Sequence, residues 1–462
     1  MLIEKDDLEL YFNDILELNP STAYYLGIKN EKTLSKIENV YDCNYSKKYN
    51  HIITKYENTK NKLLKLIIKI NINLYKYPYG YYTPFDTFNN IITNFDNINK
   101  NIYPKNSKYF NMRQNDFKEF VEDCINIMKR GIKKKLVLPK IICKKIILQI
   151  KNTEYDNLYN FLKNIYYKKC RNTIGLCSIK NGKKLYKNLI KYHCGGFYMS
   201  PENIHKYGLK LVKKFKKDLV FEGFNSPEEL YNECKKIYED IYDNIIKKYF
   251  YHIPLKKCII KPVPTDLELS NGMAYFDSVK GIFYINLSKY KFINKKSLKT
   301  LVFHETDPGH HYQFEYFNYK NMPLYKKYAF HNNALVEGWG LYTERLDGMN
   351  DGVEEYYQLR VVRLVVDTGI NYYGWSYKEA YDYMKKNLKS ITSDEIKEEI
   401  ERYICMPAQA ISYVIGMRNI LNLRELYINK YKLGNIKDFH KFILDDGVVS
   451  FEFLKDKMKI KK

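Results

Sequence analysis

The sequence predicts a mainly α protein with one small β element, and three observations predict it. Apolar residues recur at helical spacing through many long segments. Runs of β-branched and aromatic residues bounded by turn signals are confined to one stretch near 273–287. No internal repeat and no Pro- or Ser-rich linker breaks the pattern, and 45% hydrophobic residues over 462 positions suffice for a large core.

The elements follow in order. Between Phe117 and Arg130, a stripe of Phe117, Phe120, Val121, Cys124, Ile125 and Met128 falls on one helix face. Ser200-Pro201-Glu202 is a helix start, with Ser as N-cap and Pro in the first turn, ahead of a helix over 204–217 in which Gly208 is a weak point. A further helix covers 228–249. Met273–Phe276 and Gly281–Leu287 pair as a small hairpin. Helices then cover 297–303, 356–366, 377–387 and 393–404. The expected organisation is an elongated helical protein, with an N-terminal helical region at 1–150 forming a lid or wall of a cleft. A helical region at 151–462 carries the chemistry.

The formal net charge of +24 first suggests a nucleic-acid binder. Splitting the chain weakens that reading. Residues 1–300 hold 54 basic and 30 acidic residues, whereas residues 301–462 hold 23 of each. Abundant Lys, Asn, Ile and Tyr suggest an AT-rich genome, which accounts for much of the excess; a cationic cleft wall favouring acidic peptides is the other reading. Lys133–Lys135 and Lys213–Lys217 read as solvated helix faces. The acidic N-terminus, Met1 to Asp7, lacks an apolar signal region, and no run reaches membrane-spanning length. Nine scattered cysteines without a CxxC pair point to a reducing compartment and a cytoplasmic location.

The chemistry concentrates at Leu301–Gln313, where His304, Glu305, Asp307, His310 and His311 fall within eight residues. Imidazole and carboxylate ligands suit a zinc ion. The usual HExxH pair needs a histidine at i+4, but here that position is Pro308. On a regular helix neither His310 nor His311 reaches the face of His304 at the right height. Pro308-Gly309 can break the helix and bring one back. His310, following the Gly, is favoured as the second ligand. His311 is the alternative and is otherwise assigned to substrate binding. Glu337, 33 residues after His304 in a second helical pattern, is the third ligand, and Glu344, two turns on, is an orienting partner for a ligand histidine. Glu305 is the expected general base for a metal-activated water.

These residues also carry a resemblance. His304–Gln313 and Val336–Leu346 resemble the HEGxPGHHxQ and EGWALYxExL motifs of the family known as domain of unknown function 885. Ser200–Leu209, Gly281–Asn286, Arg363–Asn371 and Arg402–Ala410 are similar to further motifs of that family, in order along the chain. The resemblance implies a mostly helical, metallopeptidase-like fold related to gluzincin-type zinc peptidases. It also implies that Tyr403 and Tyr413 donate to an oxyanion and that Arg402 holds a substrate carboxylate. The chain departs from the family pattern at Thr306, Asp307, Asn371 (usually His) and Ala408 (usually Gly). His205 is taken as a core histidine. The resulting expectation is a zinc-dependent hydrolase with one zinc ion, acting as a peptidase or oligopeptidase on peptide or small amide substrates. The alternatives are a metal-dependent amide or ester hydrolase acting on a small metabolite, and a basic nucleic-acid-associated protein without catalysis.

Overall fold

The computed structural model describes residues 6–88, 92, 95, 99, 108–215, 221–268, 272–346, 353–389, 391–431 and 435–460. Met1–Lys5 of the acidic N-terminus, and Lys216 and Lys217 of the second lysine cluster, lie outside them. The fold is mainly α with one three-stranded sheet. The chain divides into two compact units, residues 1–188 with 370–377, and residues 189–369 with 378–462. Among the described residues no helix is long and apolar enough to cross a membrane.

In the first unit the helix Lys108–Lys134 buries the stripe read from the sequence. Its spacing places Phe117 against Phe95, with ring centroids 3.8 Å apart. Asn371, where the family pattern has His, is fully buried, and its side-chain oxygen accepts the backbone N–H of Leu176 at 3.2 Å. That is a fold-holding role.

The second unit carries the candidate chemistry. Its sheet has the order β1 (Ile259–Pro262), β3 (Ile282–Ile285), β2 (Ala274–Asp277). The expected hairpin is present, with Phe276 opposite Phe283 in the antiparallel β2–β3 pair. β1 runs parallel to β3 and was not expected, since a four-residue strand ending in Pro gives almost no period-2 signal. The helices that frame the site are α1 (Pro201–Val212), α2 (Pro227–Asp240), α3 (Lys295–Glu305), α4 (His310–Tyr319), α5 (Asn333–Thr343), α6 (Val353–Thr368), α7 (Ser393–Cys405), α8 (Ser412–Tyr431) and α9 (Ile436–Leu444).

Local signals set their ends. Ser200 accepts the N–H of Asn203 ahead of Pro201, as its sequence predicts, while α1 stops at Val212, short of the expected 217. Thr392 and Glu395 form a reciprocal capping box at the start of α7. α5 and α8 cross at Gly338, where an added methyl carbon would lie 2.6 Å from the Gly416 Cα. Around this crossing Trp339, Tyr342, Leu341, Ile420 and Leu423 are almost wholly excluded from water. Each such large apolar side chain contributes about 1.5–3 kcal/mol relative to an exposed position.

Candidate metal centre

α3 ends at Glu305 because Thr306 leaves helical geometry (φ −104°, ψ −128°) while its hydroxyl donates to the Val302 carbonyl at 2.6 Å. The chain turns through Asp307, a cis Pro308 and Gly309, then re-enters a helix at His310. Gly309 is required by packing: a Cβ there would stand 2.0 Å from the His304 carbonyl oxygen. α5 holds the turn from the other side, since the buried Trp339 Nε1–H donates to the carbonyls of Pro308 (3.0 Å) and Gly309 (3.2 Å).

The turn brings His310 back to His304, with ring centroids 4.7 Å apart and nearly perpendicular. α5 presents Glu337 to both. Glu337 Oε2 lies 3.4 Å from His304 Nε2 and 3.5 Å from His310 Nε2, and the ligand atoms of all three residues lie within 4.8 Å of one another. These separations are long for an N–H···O hydrogen bond, which is about 2.9–3.0 Å. They are also compatible with a shared cation: metal–ligand bonds of about 2.0–2.1 Å at tetrahedral angles put ligand atoms about 3.3–3.4 Å apart. The donor set, two imidazoles and a carboxylate, is one that suits zinc and its neighbours in the first transition row. One atom is left over: Nδ1 of His310 is buried with no hydrogen-bond partner among the described residues.

A second contact orients His304. Its Nδ1–H donates to Glu344 Oε1 at 2.7 Å, and Glu344 is fully buried. Glu337 and Glu344 are seven residues apart, two helical turns, so one face of α5 grips both nitrogens of the same ring. Gly340 lies between them, and a Cβ there would meet His304 Cε1 at 2.6 Å. Burial pushes the His304 imidazolium down, but Glu337 and Glu344 outweigh it and hold the group up at about 9. Burial likewise raises the Glu337 carboxyl, and the two histidines overcome that and keep it well below the usual carboxylate range.

Just over half of the chain, residues 218–458, matches the family described as bacterial protein of unknown function (DUF885). The chain belongs to this family. Two solved structures share the fold of the DUF885 chain over nearly its whole length. One is a "putative lipoprotein" from Colwellia psychrerythraea, 21% identical over 98% of each chain with a TM-score of 0.82. The other is a "putative lipoprotein of unknown function" from Shewanella oneidensis, 16% identical over 98% of this chain and 99% of that one, with a TM-score of 0.69. No curated protein matches.

The remaining candidates separate into those that reach the centre and those that do not. Glu305, next to His304 at the end of α3, is partly exposed and has no hydrogen-bond partner among the described residues. Tyr413 on α8 lies alongside, its ring 6.3 Å from that of His304 and inclined by 16°. Three others make contacts of their own. His311 does not join the trio: its Nδ1 is 2.9 Å from Asp307 Oδ1, and Asp307 in turn accepts the Tyr238 hydroxyl. Tyr403 donates to Glu399 at 2.6 Å from a fully buried position. Arg402 donates to Gln409 Oε1 (2.7 Å) and the Tyr413 hydroxyl (3.1 Å), with Glu399 at 3.5 Å. His205, expected in the core, is half-buried, with Nδ1 2.8 Å from the Thr368 hydroxyl.

Several contributors went unread in the sequence. Arg360 reaches Glu344 at 3.5 Å, and Arg363 makes a two-pronged contact to Glu399 at 2.9 and 2.7 Å. With Arg402 they surround the Tyr413 ring at 4.9–5.7 Å. The signal was available: two arginines three residues apart inside a run whose Val361, Val362, Leu364, Val365 and Val366 are all fully buried. Charges in such a run have to be paired. At Ala408 the chain adopts φ +68°, and its N–H donates to both Asp367 oxygens at 3.1 Å. The glycine usual in DUF885 at this position fits that geometry without strain.

Proposed function

We propose that this chain is a zinc-dependent hydrolase of the gluzincin kind, a peptidase or oligopeptidase holding one zinc ion through His304, His310 and Glu337. One observation carries the reading: the carboxylate of Glu337 stands 3.4 and 3.5 Å from two imidazole nitrogens, so three ligand-type side chains converge at a spacing one metal ion can bridge. A zinc ion bound there would polarise the scissile carbonyl and lower the pKa of a water from about 16 toward 7.

The protein's own residues supply the rest. Glu305 takes the proton of the attacking water and passes it to the leaving nitrogen, and its freedom from other partners suits both steps. Glu344 accepts from His304 Nδ1–H and so fixes the tautomer that turns Nε2 toward the centre. The Tyr413 hydroxyl already accepts from Arg402, which leaves its own proton to donate to the oxyanion.

The test combines metal analysis of the purified chain with peptide turnover by the wild type and Glu305→Gln. Zinc at one equivalent and loss of turnover in the variant support the proposal. Equal cleavage by the variant refutes the assigned base. Turnover of small esters or amides without peptide cleavage moves the same machinery to a metabolite substrate. Cytoplasmic residence is part of this proposal, while the two solved neighbours carry the name lipoprotein; cell fractionation separates the two locations.

A further inference from the structure

Behind the metal helices, the second unit contains a cavity of about 310 Å³ that the proposed hydrolysis does not use. Its floor is Phe250, Tyr312, His440 and Leu444, all nearly fully buried. Phe250 packs on Tyr312 at 4.1 Å and on His440 at 4.7 Å, which makes the floor a continuous aromatic surface. One wall is a second stack, His252 on Tyr319, with centroids 3.7 Å apart and planes inclined by 17°. Tyr319 and Tyr251 remain more than half exposed at the mouth, so large rings face open space where a ligand would cover them.

The mouth is cationic. Lys320, Lys437 and Lys441 line it, and no acidic residue does. Asp445 lies beside it, paired with Lys441 and 3.9 Å from Lys320; Asp438 accepts the Tyr251 hydroxyl at 3.0 Å. Glu315 and Asp307 also act on His252 in the wall, while Lys437 contacts a tyrosine ring and, among the described residues, no carboxylate. Aromatic floor and cationic rim together select a planar ring bearing a negative group: the ring stacks on the walls and the anion meets the lysines. A cavity of this size suits a small molecule.

We propose that this cavity is a binding site for a small aromatic anion, such as a ring carrying a phosphate or a carboxylate. The site is independent of the metal centre and does not rest on the hydrolase reading.

The experiment is calorimetric titration of the full chain, with a chelator present so that phosphate cannot report on the His304 centre. The probes are AMP and phenyl phosphate, with adenosine, phenol and inorganic phosphate as halves of each. Saturable binding of AMP or phenyl phosphate, at least about tenfold tighter than the corresponding halves, is expected. The double variant Lys437→Ala, Lys441→Ala should weaken it by about tenfold, from two lost ion pairs. Tyr319→Ala, at an exposed position, should weaken it independently, with a cooperative thermal transition retained in all variants. No saturable binding by either intact probe overturns the proposal. So does equal binding by adenosine and AMP, or undiminished binding by the lysine variant.

Discussion

The His304 ring is held at both nitrogens by carboxylates two turns apart on one helix, Nδ1 by Glu344 at 2.7 Å and Nε2 by Glu337 at 3.4 Å. The two distances differ in kind. The shorter is a charge-assisted hydrogen bond between two buried groups, whereas the longer leaves room for a cation. Glu344→Gln keeps the shape and removes the charge that fixes the tautomer. It should lower zinc affinity by about 10–100-fold while leaving the fold intact. Competition with a chromophoric chelator measures this; unchanged affinity would show that Glu344 serves only Arg360.

Glu305 has a different position and should give a different signature. It neighbours the trio without bonding to it, so Glu305→Gln should retain full metal content and lose about 10²–10⁴-fold in kcat, with KM little changed. Metal loss in this variant would instead make Glu305 a ligand, and the proton-transfer role would fall.

How much of this was legible beforehand depended on whether a feature is local. The helices were readable because their buried stripes repeat within one segment, as Phe117, Phe120 and Cys124 do. The return of His310 was readable because Pro308 and Gly309 each act on their own backbone. β1 was not, since its four residues are specified by pairing with β3 and not by their own pattern. Nor could the sequence rank Tyr403 against Tyr413. Both precede or follow the same short turn, and only packing decides that one hydroxyl meets Glu399 while the other meets Arg402. Partners across helices, Arg360 with Glu344 above all, are tertiary facts of the same sort.

Ala408 offers a test of backbone strain. A left-handed φ costs a non-glycine residue about 1–2 kcal/mol, and the unfolded-state entropy of glycine offsets part of any gain. Ala408→Gly should therefore stabilise the chain by about 0.5–1 kcal/mol, read as a higher denaturant midpoint at an unchanged m-value. A lower midpoint would mean that the methyl group, which is fully buried, contributes more through packing than the backbone loses.

The last prediction concerns acid. His440 sits with Nδ1 at 2.9 Å from the Tyr249 carbonyl, so Nδ1 carries the proton and Nε2 accepts the Tyr342 hydroxyl at 2.8 Å. Burial pushes its pKa down from 6.5 to about 3; the Tyr249 bond opposes this and Arg424 adds to it. A second proton would have to enter at Nε2 and would displace the Tyr342 donor. The unfolded chain therefore binds more protons than the folded one between pH 6.5 and about 3. Stability from this group is constant above pH 6.5 and declines as pH falls through that window, by at most about 1.4 kcal/mol per pH unit. His440→Gln retains a donor and an acceptor but cannot titrate. It should be weaker than the wild type at pH 7.5 yet lose less on acidification to pH 5, as urea midpoints will show. Parallel loss in the two proteins would assign the acid sensitivity to other groups.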